Sequence, residues 1–228
     1  MRHPLLAFAG ALTLSLVVSC SGEKDNADLP DPEGTELFPV DTGLTRLYAV
    51  DSIFWDDFSG IHDTLSYIIK EKITGTFNDL QGRPTLRIER FREEPGGDWI
   101  IDRVWTANRT RTTAERTEDN IRYLKLVFPA LEGIIWNGNT YNTLPAENYR
   151  ILKTGNDTAA NTLFMNTAAI LQGDSVGNRI TKEYGIEKYA EGPGLIYKSK
   201  VSLTFNFPLT TVRSGYIYTE KLIDYEPR

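Results

Sequence analysis

The chain has 228 residues, 40% hydrophobic and 11% aromatic, with 25 lysines and arginines against 31 aspartates and glutamates and a formal net charge of −6. That balance leaves no electrostatic footprint for nucleic acid or anionic lipid, and the roughly 185 residues of the body suffice for one substantial core in a single domain. A single cysteine excludes an internal disulfide.

Residues 1–19 begin with Arg2 and continue as an apolar run from Leu5 to Val18. The run is too short to span a bilayer comfortably and is flanked like an export signal. Val17, Val18, Ser19 and Cys20 resemble the lipobox of bacterial lipoproteins. The resemblance implies that Cys20 becomes the first mature residue, with a diacylglycerol on its sulfur and a third, palmitate-like acyl chain on its amine. Two acyl chains already anchor a protein stably, so the expected partner at this end is the membrane itself. The alternative, a plain secretory signal with a leftover thiol, would leave an unpaired cysteine in an exported chain. Ser21, followed by Gly22-Glu23-Lys24-Asp25, resembles outer-membrane lipoproteins and, more loosely, surface-export signals of Bacteroidota lipoproteins. The expected location is the outer membrane, on its periplasmic or cell-surface face.

Residues 20–43 are rich in Asp, Glu, Gly and Pro, including Pro30, Pro32 and Pro39, with no apolar period. This composition predicts a solvated tether, reaching ~25 Å as a coil of about 20 residues. The folded domain is then expected over residues 44–228.

From residue 44 onward the period is 2. In "TLSYIIKEKITGTF", Leu65, Tyr67, Ile69 and Ile73 alternate with Ser66, Lys70, Lys72 and Thr74, the pattern of a strand packed on one face and wet on the other. "LTRLYAVDSIFW" precedes it; "PTLRIERF", "DWIIDRVWTA", "NIRYLKLVF", "NTLFMNTAAIL", "RITKEYGIEKYA", "LIYKSKVSLTFNF" and "SGYIYTEKLIDY" follow. Turn sequences separate them: "NDLQGRP", "EPGGD", "TEDN", "WNGN", "QGDSVGN" and "EGPG". "PAENYRIL" fits either a short helix or a strand. About nine or ten antiparallel strands without a long 3.6-residue period define an all-β protein. Hiding the edges of so many strands requires a strongly curved sheet, as a half-barrel or β-roll, or alternatively a β-sandwich.

"LKLVFPALEGIIWNGN" (residues 124–139) and "IEKYAEGPGLIYKS" (186–199) resemble paired patterns of β-rich Bacteroidota outer-envelope lipoproteins, departing from them at Ala130 and Pro193. The resemblance implies a curved sheet like that of lipoprotein-carrier proteins and brings no assigned activity. Independently of it, Gly192 and Gly194 around Pro193 read as a sharp corner between two strands, since no helix follows to make a phosphate loop.

Several clusters are candidates for chemistry. "DDFSGIHDT" holds His62 with Asp56, Asp57, Ser59 and Asp63. These are the residue types of a Ser–His–Asp hydrolase or a calcium loop, but in a spacing that suits a solvated turn better than either. No catalytic residue and no metal site is therefore expected, and no cofactor. Trp55, Trp99, Trp105 and Trp136 are candidates to line a cavity for an apolar ligand; the plainer reading makes them core. Arg87, Arg90, Arg92, Arg103, Arg109, Arg111 and Arg116 are interleaved with acids. They are expected as cross-strand ion pairs on the wet face, the alternative being a groove for an acidic glycan or lipid headgroup. Asp-Ser/Thr-apolar tripeptides at Ser52, Thr64, Thr158 and Ser175 resemble the O-glycosylation acceptors of Bacteroidota. The functional expectation is a non-catalytic binding or assembly module of the outer envelope, partnered by an envelope protein, glycan or lipid. The alternatives are a carrier of a lipid or other apolar ligand in a barrel-like cavity and, last, a hydrolase using carboxylates from distant strands.

Overall fold

The structure is a computed structural model, and residues 30–159, 161–174, 180–208 and 211–227 are described. The signal peptide, Cys20, Ser175 and the first part of the expected tether lie outside the described residues.

The described residues form one antiparallel sheet of twelve strands. In chain order these are β1 (Thr45–Asp56), β2 (Ile61–Asn78), β3 (Pro84–Glu93), β4 (Trp99–Arg109), β5 (Thr113–Glu118), β6 (Ile121–Val127), β7 (Ile135–Asn137), β8 (Asn148–Ala159), β9 (Thr162–Asp174), β10 (Thr181–Ala190), β11 (Gly194–Phe205) and β12 (Val212–Glu226). Their spatial order is β6-β5-β4-β3-β2-β1-β12-β11-β10-β9-β8-β7. Two meanders are thus joined where the first strand pairs with the last, Val50 lying opposite Glu220. The sheet curls until its outermost strands almost meet, and the amide of Leu124 donates to the carbonyl of Gly138 at 2.9 Å across the seam. The indole Nε1 of Trp136 donates to the Leu124 carbonyl at 2.9 Å and closes the same gap. The curved all-β sheet expected from the sequence is the one observed, not a sandwich. Near-closure leaves only short unpaired edges, which is how an antiparallel set of this size avoids edge-to-edge association.

Each predicted strand segment forms a strand, and three further strands complete the sheet. The "PAENYRIL" segment enters β8, not a helix. The "TEDN" turn carries Asp119 and Asn120 at φ 50° and 67°, the paired left-handed geometry of a two-residue hairpin. Gly194 at the "EGPG" corner has φ 77°, and a Cβ there would lie 2.8 Å from Cδ of Pro39. The corner is therefore tight as well as bent.

Residues 31–43 correct the expected tether of 20–43. They belong to the same compact unit as the sheet. A single 3-10 turn over Thr35–Leu37 buries Thr35 and Leu37, and Phe38 follows into the core against Ile73, Leu86 and Tyr189. Arg109 of β4 donates from Nη1 to the carbonyls of Thr35 and Phe38 at 2.9 and 3.0 Å. Two adjacent apolar side chains between prolines are enough to dock this segment as a strap over the sheet.

Candidate functional site

Strand alternation sends one face of each strand inward, and that face is not uniformly apolar. On β1, Arg46 occupies the same phase as the buried Tyr48 and Val50; on β2, Glu71 lies between Ile69 and Ile73. Arg90 follows Ile88, Glu187 precedes Tyr189, and Glu220 precedes Leu222, all buried. Arg46 pairs in register with Glu71 and Glu71 with Arg90, so neighbouring strands bring opposite charges together. The result is a belt of ion pairs inside the sheet.

Glu71, fully buried, is its centre. It accepts from Arg116 in a short contact and from Arg90 at 3.2 Å, and Arg46 pairs with its second oxygen at 3.2 Å. Burial opposes ionisation of Glu71, but the Arg116, Arg46 and Arg90 guanidinia outweigh it and hold the carboxyl down at about 2. Arg90 reaches on to Glu220 at 2.7 Å, and the hydroxyl of Tyr218 donates to the same carboxylate at 2.8 Å. A second group follows. Lys125 bridges Glu118 and Glu187, each at 2.9 Å, and Lys198 lies 3.0 Å from Glu118. Burial again opposes charge on Glu187, and Lys125 and Lys198 overcome it, holding the carboxyl down at about 2. Lys125 is shifted the other way: burial works against its ammonium, and Glu118 and Glu187 raise it above the usual lysine range. The Trp105 ring lies 4.2 Å from the Arg90 guanidinium and 4.8 Å from that of Arg116.

The belt floors an open cleft of about 500 Å³ within the curve of the sheet. Its walls include Ser52, Tyr67, Arg92, Asp102, Arg103, Asp119, Lys200, Tyr216 and Tyr218. Among the described residues, the lining acids are committed: Asp119 accepts from Arg103 and from Trp105 Nε1, Asp102 pairs with Arg103 at 3.3 Å, and Glu118 holds the two lysines. Arg92 and Lys200 are not. The Arg92 guanidinium lies 4.5 Å from the Tyr67 ring, and its nearest carboxylate, Glu94, is at 4.0 Å.

The four tryptophans do not share a cavity. Trp105 lines the cleft between its arginines; Trp136 packs edge-on to Tyr149 in the core; Trp55 stacks on His62 at 5.0 Å; Trp99 lies under the ammonium of Lys70 at 4.0 Å. Trp105 and Trp136 are buried, whereas Trp55 and Trp99 are only half-buried, each against a different partner.

The arginines divide in the same way. Arg87 pairs with Glu89 at 2.9 Å on an exposed face, but within β3 and not across strands, and Arg111 pairs with Asp31 at 3.5 Å. Arg90 and Arg116 turn inward to the belt, Arg92 into the cleft, and Arg109 to the strap. The expectation of a wet-face ladder fails for these because the inward faces of β3 and β5 carry charge among their apolar side chains, Arg90 beside Ile88 and Arg116 beside Ala114. The signal was present as charged residues in apolar phase, at Arg46, Glu71, Arg90, Glu187 and Glu220, and the sequence reading passed over it.

The "DDFSGIHDT" stretch is a tight turn between β1 and β2. Ser59 Oγ donates to Asp56 at 2.6 Å, Asp57 pairs with Arg213 at 3.1 Å, and His62 belongs to the stack on Trp55. Its carboxylates point to separate partners, and among the described residues no group of three or more His, Cys, Asp or Glu is placed to hold a metal ion. Of the glycosylation candidates, Thr64 and Thr158 are exposed, whereas Ser52 is half-buried in the cleft wall.

No family model matches the sequence, and no curated protein matches it. Two solved structures are similar to it over 83% of this chain and 98% of theirs. One is a Bacteroides fragilis protein designated as exported, with a YmcC-like fold, at 10% identity and a TM-score of 0.46. The other is a Parabacteroides distasonis protein designated a lipoprotein, at 12% identity and a TM-score of 0.41.

Proposed function

We propose that the chain is an exported lipoprotein, anchored in the outer membrane through acyl chains on Cys20, whose folded unit is a non-catalytic binding module using the cleft as its ligand site. The observation that carries this is the cleft itself: about 500 Å³, within the size range of small-molecule sites and lined by polar side chains of which several have no protein partner. Hydrolysis is a poorer fit. Glu71, Glu118 and Glu187 are held ionised by several cations each, so none of the three is poised as an acid or base near neutral pH. An apolar carrier is a poorer fit too, because charged side chains line the cleft that a lipid tail would need. Exposed Thr64 and Thr158 remain the natural acceptors for a glycan, each beside an aspartate whose carboxylate already holds the threonine amide, at 2.8 and 2.7 Å.

Native mass spectrometry of the intact lipoprotein in detergent, beside a denatured control, tests both parts. The expected covalent mass is that of a chain starting at Cys20 plus acyl groups, lost in Cys20→Ala. The expected additional mass is a non-covalent ligand that disappears on denaturation. An unacylated chain would refute the anchor, and a bare polypeptide with no ligand from any envelope extract would refute the binding module.

A further inference from the structure

We infer that the ligand of the cleft is an acidic saccharide, a polyhydroxylated molecule bearing carboxylate, sulfate or phosphate groups, and that Arg92 and Lys200 are the residues that recognise its charge. This inference rests on the binding-module reading and gives its site a ligand class.

Charge is the first argument. The whole chain is acidic, with a formal net charge of −6. The cleft has the opposite sign: Arg90, Arg92, Arg103, Lys198 and Lys200 line it against Asp102, Glu118 and Asp119. The three acids are taken up by Arg103, Lys125 and Lys198, and Arg90 is taken up by Glu71 and Glu220. What remains is Lys200, with no acid partner among the described residues, and Arg92, with only a loose one in Glu94 at 4.0 Å. The Arg92 Nε is sealed from solvent without a hydrogen-bond acceptor, and Lys200 makes no hydrogen bond or ion pair among the described residues. A local positive potential in a recess of an acidic protein draws in anions and rejects cations.

Hydroxyl chemistry is the second argument. Ser52, Tyr67 and Tyr216 line the same recess, and their hydroxyls have no protein partner among the described residues. The Tyr67 hydroxyl is kept protonated: burial raises its pKa more than the Arg92 charge lowers it. Such groups both donate and accept, as sugar hydroxyls do.

The third argument is placement on a rigid frame. Arg92 is on β3 and Lys200 on β11, on either side of β2, β1 and β12. Counting ~4.8 Å per strand, the backbone arc between them is roughly 19 Å, so the two cations enter the one cleft from different parts of its wall. Strands position these side chains better than loops would, and the belt beneath fixes the floor.

The test begins with a glycan array carrying carboxylated, sulfated and phosphorylated oligosaccharides beside neutral ones, probed with the intact mature chain. Calorimetry on the best acidic ligand follows, with Arg92→Gln, Lys200→Gln and, on the exposed face of β2, Lys72→Gln as a matched charge change. Acidic glycans are expected to bind and neutral ones not. Affinity should fall with added salt, and roughly tenfold in each cleft variant, since each loses one charge-assisted contact, while Lys72→Gln binds like the parent. Circular dichroism of the variants should be unchanged, because Lys200 holds no partner among the described residues and Arg92 only a loose surface pair with Glu94 and a stack on Tyr67. Retention of no acidic glycan overturns the inference, and so does an equal loss in Lys72→Gln. Equal binding of neutral glycans in the cleft overturns it too but leaves the binding module standing. Displacement by inorganic phosphate at comparable affinity would assign the cleft to a free anion and likewise overturn the saccharide.

Discussion

At the scale of single residues the most consequential position is Glu71. Its carboxylate is fully buried and shared by Arg46, Arg90 and Arg116. Desolvating four charges is costly, and the arrangement is tolerable only because each cation has an acid partner. Removing the central acid takes a carboxylate from three buried guanidinia and leaves Arg46 with none among the described residues. Glu71→Gln is therefore expected to lower unfolding stability by about 3–5 kcal/mol, read as a shifted urea midpoint. Arg87→Gln removes one member of a surface pair with half-exposed Arg87 and should change stability by no more than about 0.5 kcal/mol. If the two variants proved equally mild, the belt would not be a structural element. The belt was legible in principle: a glutamate between Ile69 and Ile73 breaks the apolar phase of its strand. It reads as noise in one strand and becomes meaningful only when the register sets it beside Arg46 and Arg90. Cross-strand register is what a sequence period cannot supply.

At the scale of elements, the strap over residues 31–43 shows what composition conceals. Prolines, glycines and acids mark a solvated segment on average, yet Leu37 and Phe38 are both buried, and the carbonyls of Thr35 and Phe38 are engaged by Arg109. Gly34, at φ 89°, makes the docking close: a Cβ there would meet that of Ala130 at 2.4 Å. This is where a small residue stands at position 130. Leu37→Ala should cost about 2–5 kcal/mol, the range for emptying a well-packed leucine site, and should raise protease sensitivity near the strap. A flexible tether would show neither effect. The strands missing from the sequence reading have equally physical reasons. In β5, "TAERTE", the inward residues are Ala114, Arg116 and Glu118, so no apolar alternation exists to be seen. β7 has three residues, Ile135–Asn137, below the length at which a period can be read. The long strands with one apolar face, such as β2 and β12, were legible because their outer faces are wet.

At the scale of the whole molecule, the belt makes folding depend on pH in a direction fixed by its carboxylates. Glu71 and Glu187 are held down at about 2, and Glu118 well below the usual range, by cations that override the burial penalty. In the unfolded chain such groups titrate near ~4.3. A carboxyl with a depressed native pKa contributes its stability fully above the unfolded value and loses it as pH falls toward the native one. Stability should thus be level from neutrality to about pH 5 and then decline steadily toward pH 2. The alkaline limb has the opposite origin. Lys125, raised above the lysine range once its acids outweigh burial, loses its contribution only at high pH, and burial raises Tyr48 and Tyr189 so that ionising them there also opposes the fold. Urea midpoints across pH 2–8 check the acid limb, and Glu71→Gln separates its cause. With one of the three depressed carboxyls removed, the variant should start lower at pH 7 and fall less between pH 5 and pH 2, so that the two curves converge. Parallel curves would mean that acid acts through overall charge, as the acidic surface becomes cationic, and not through the belt.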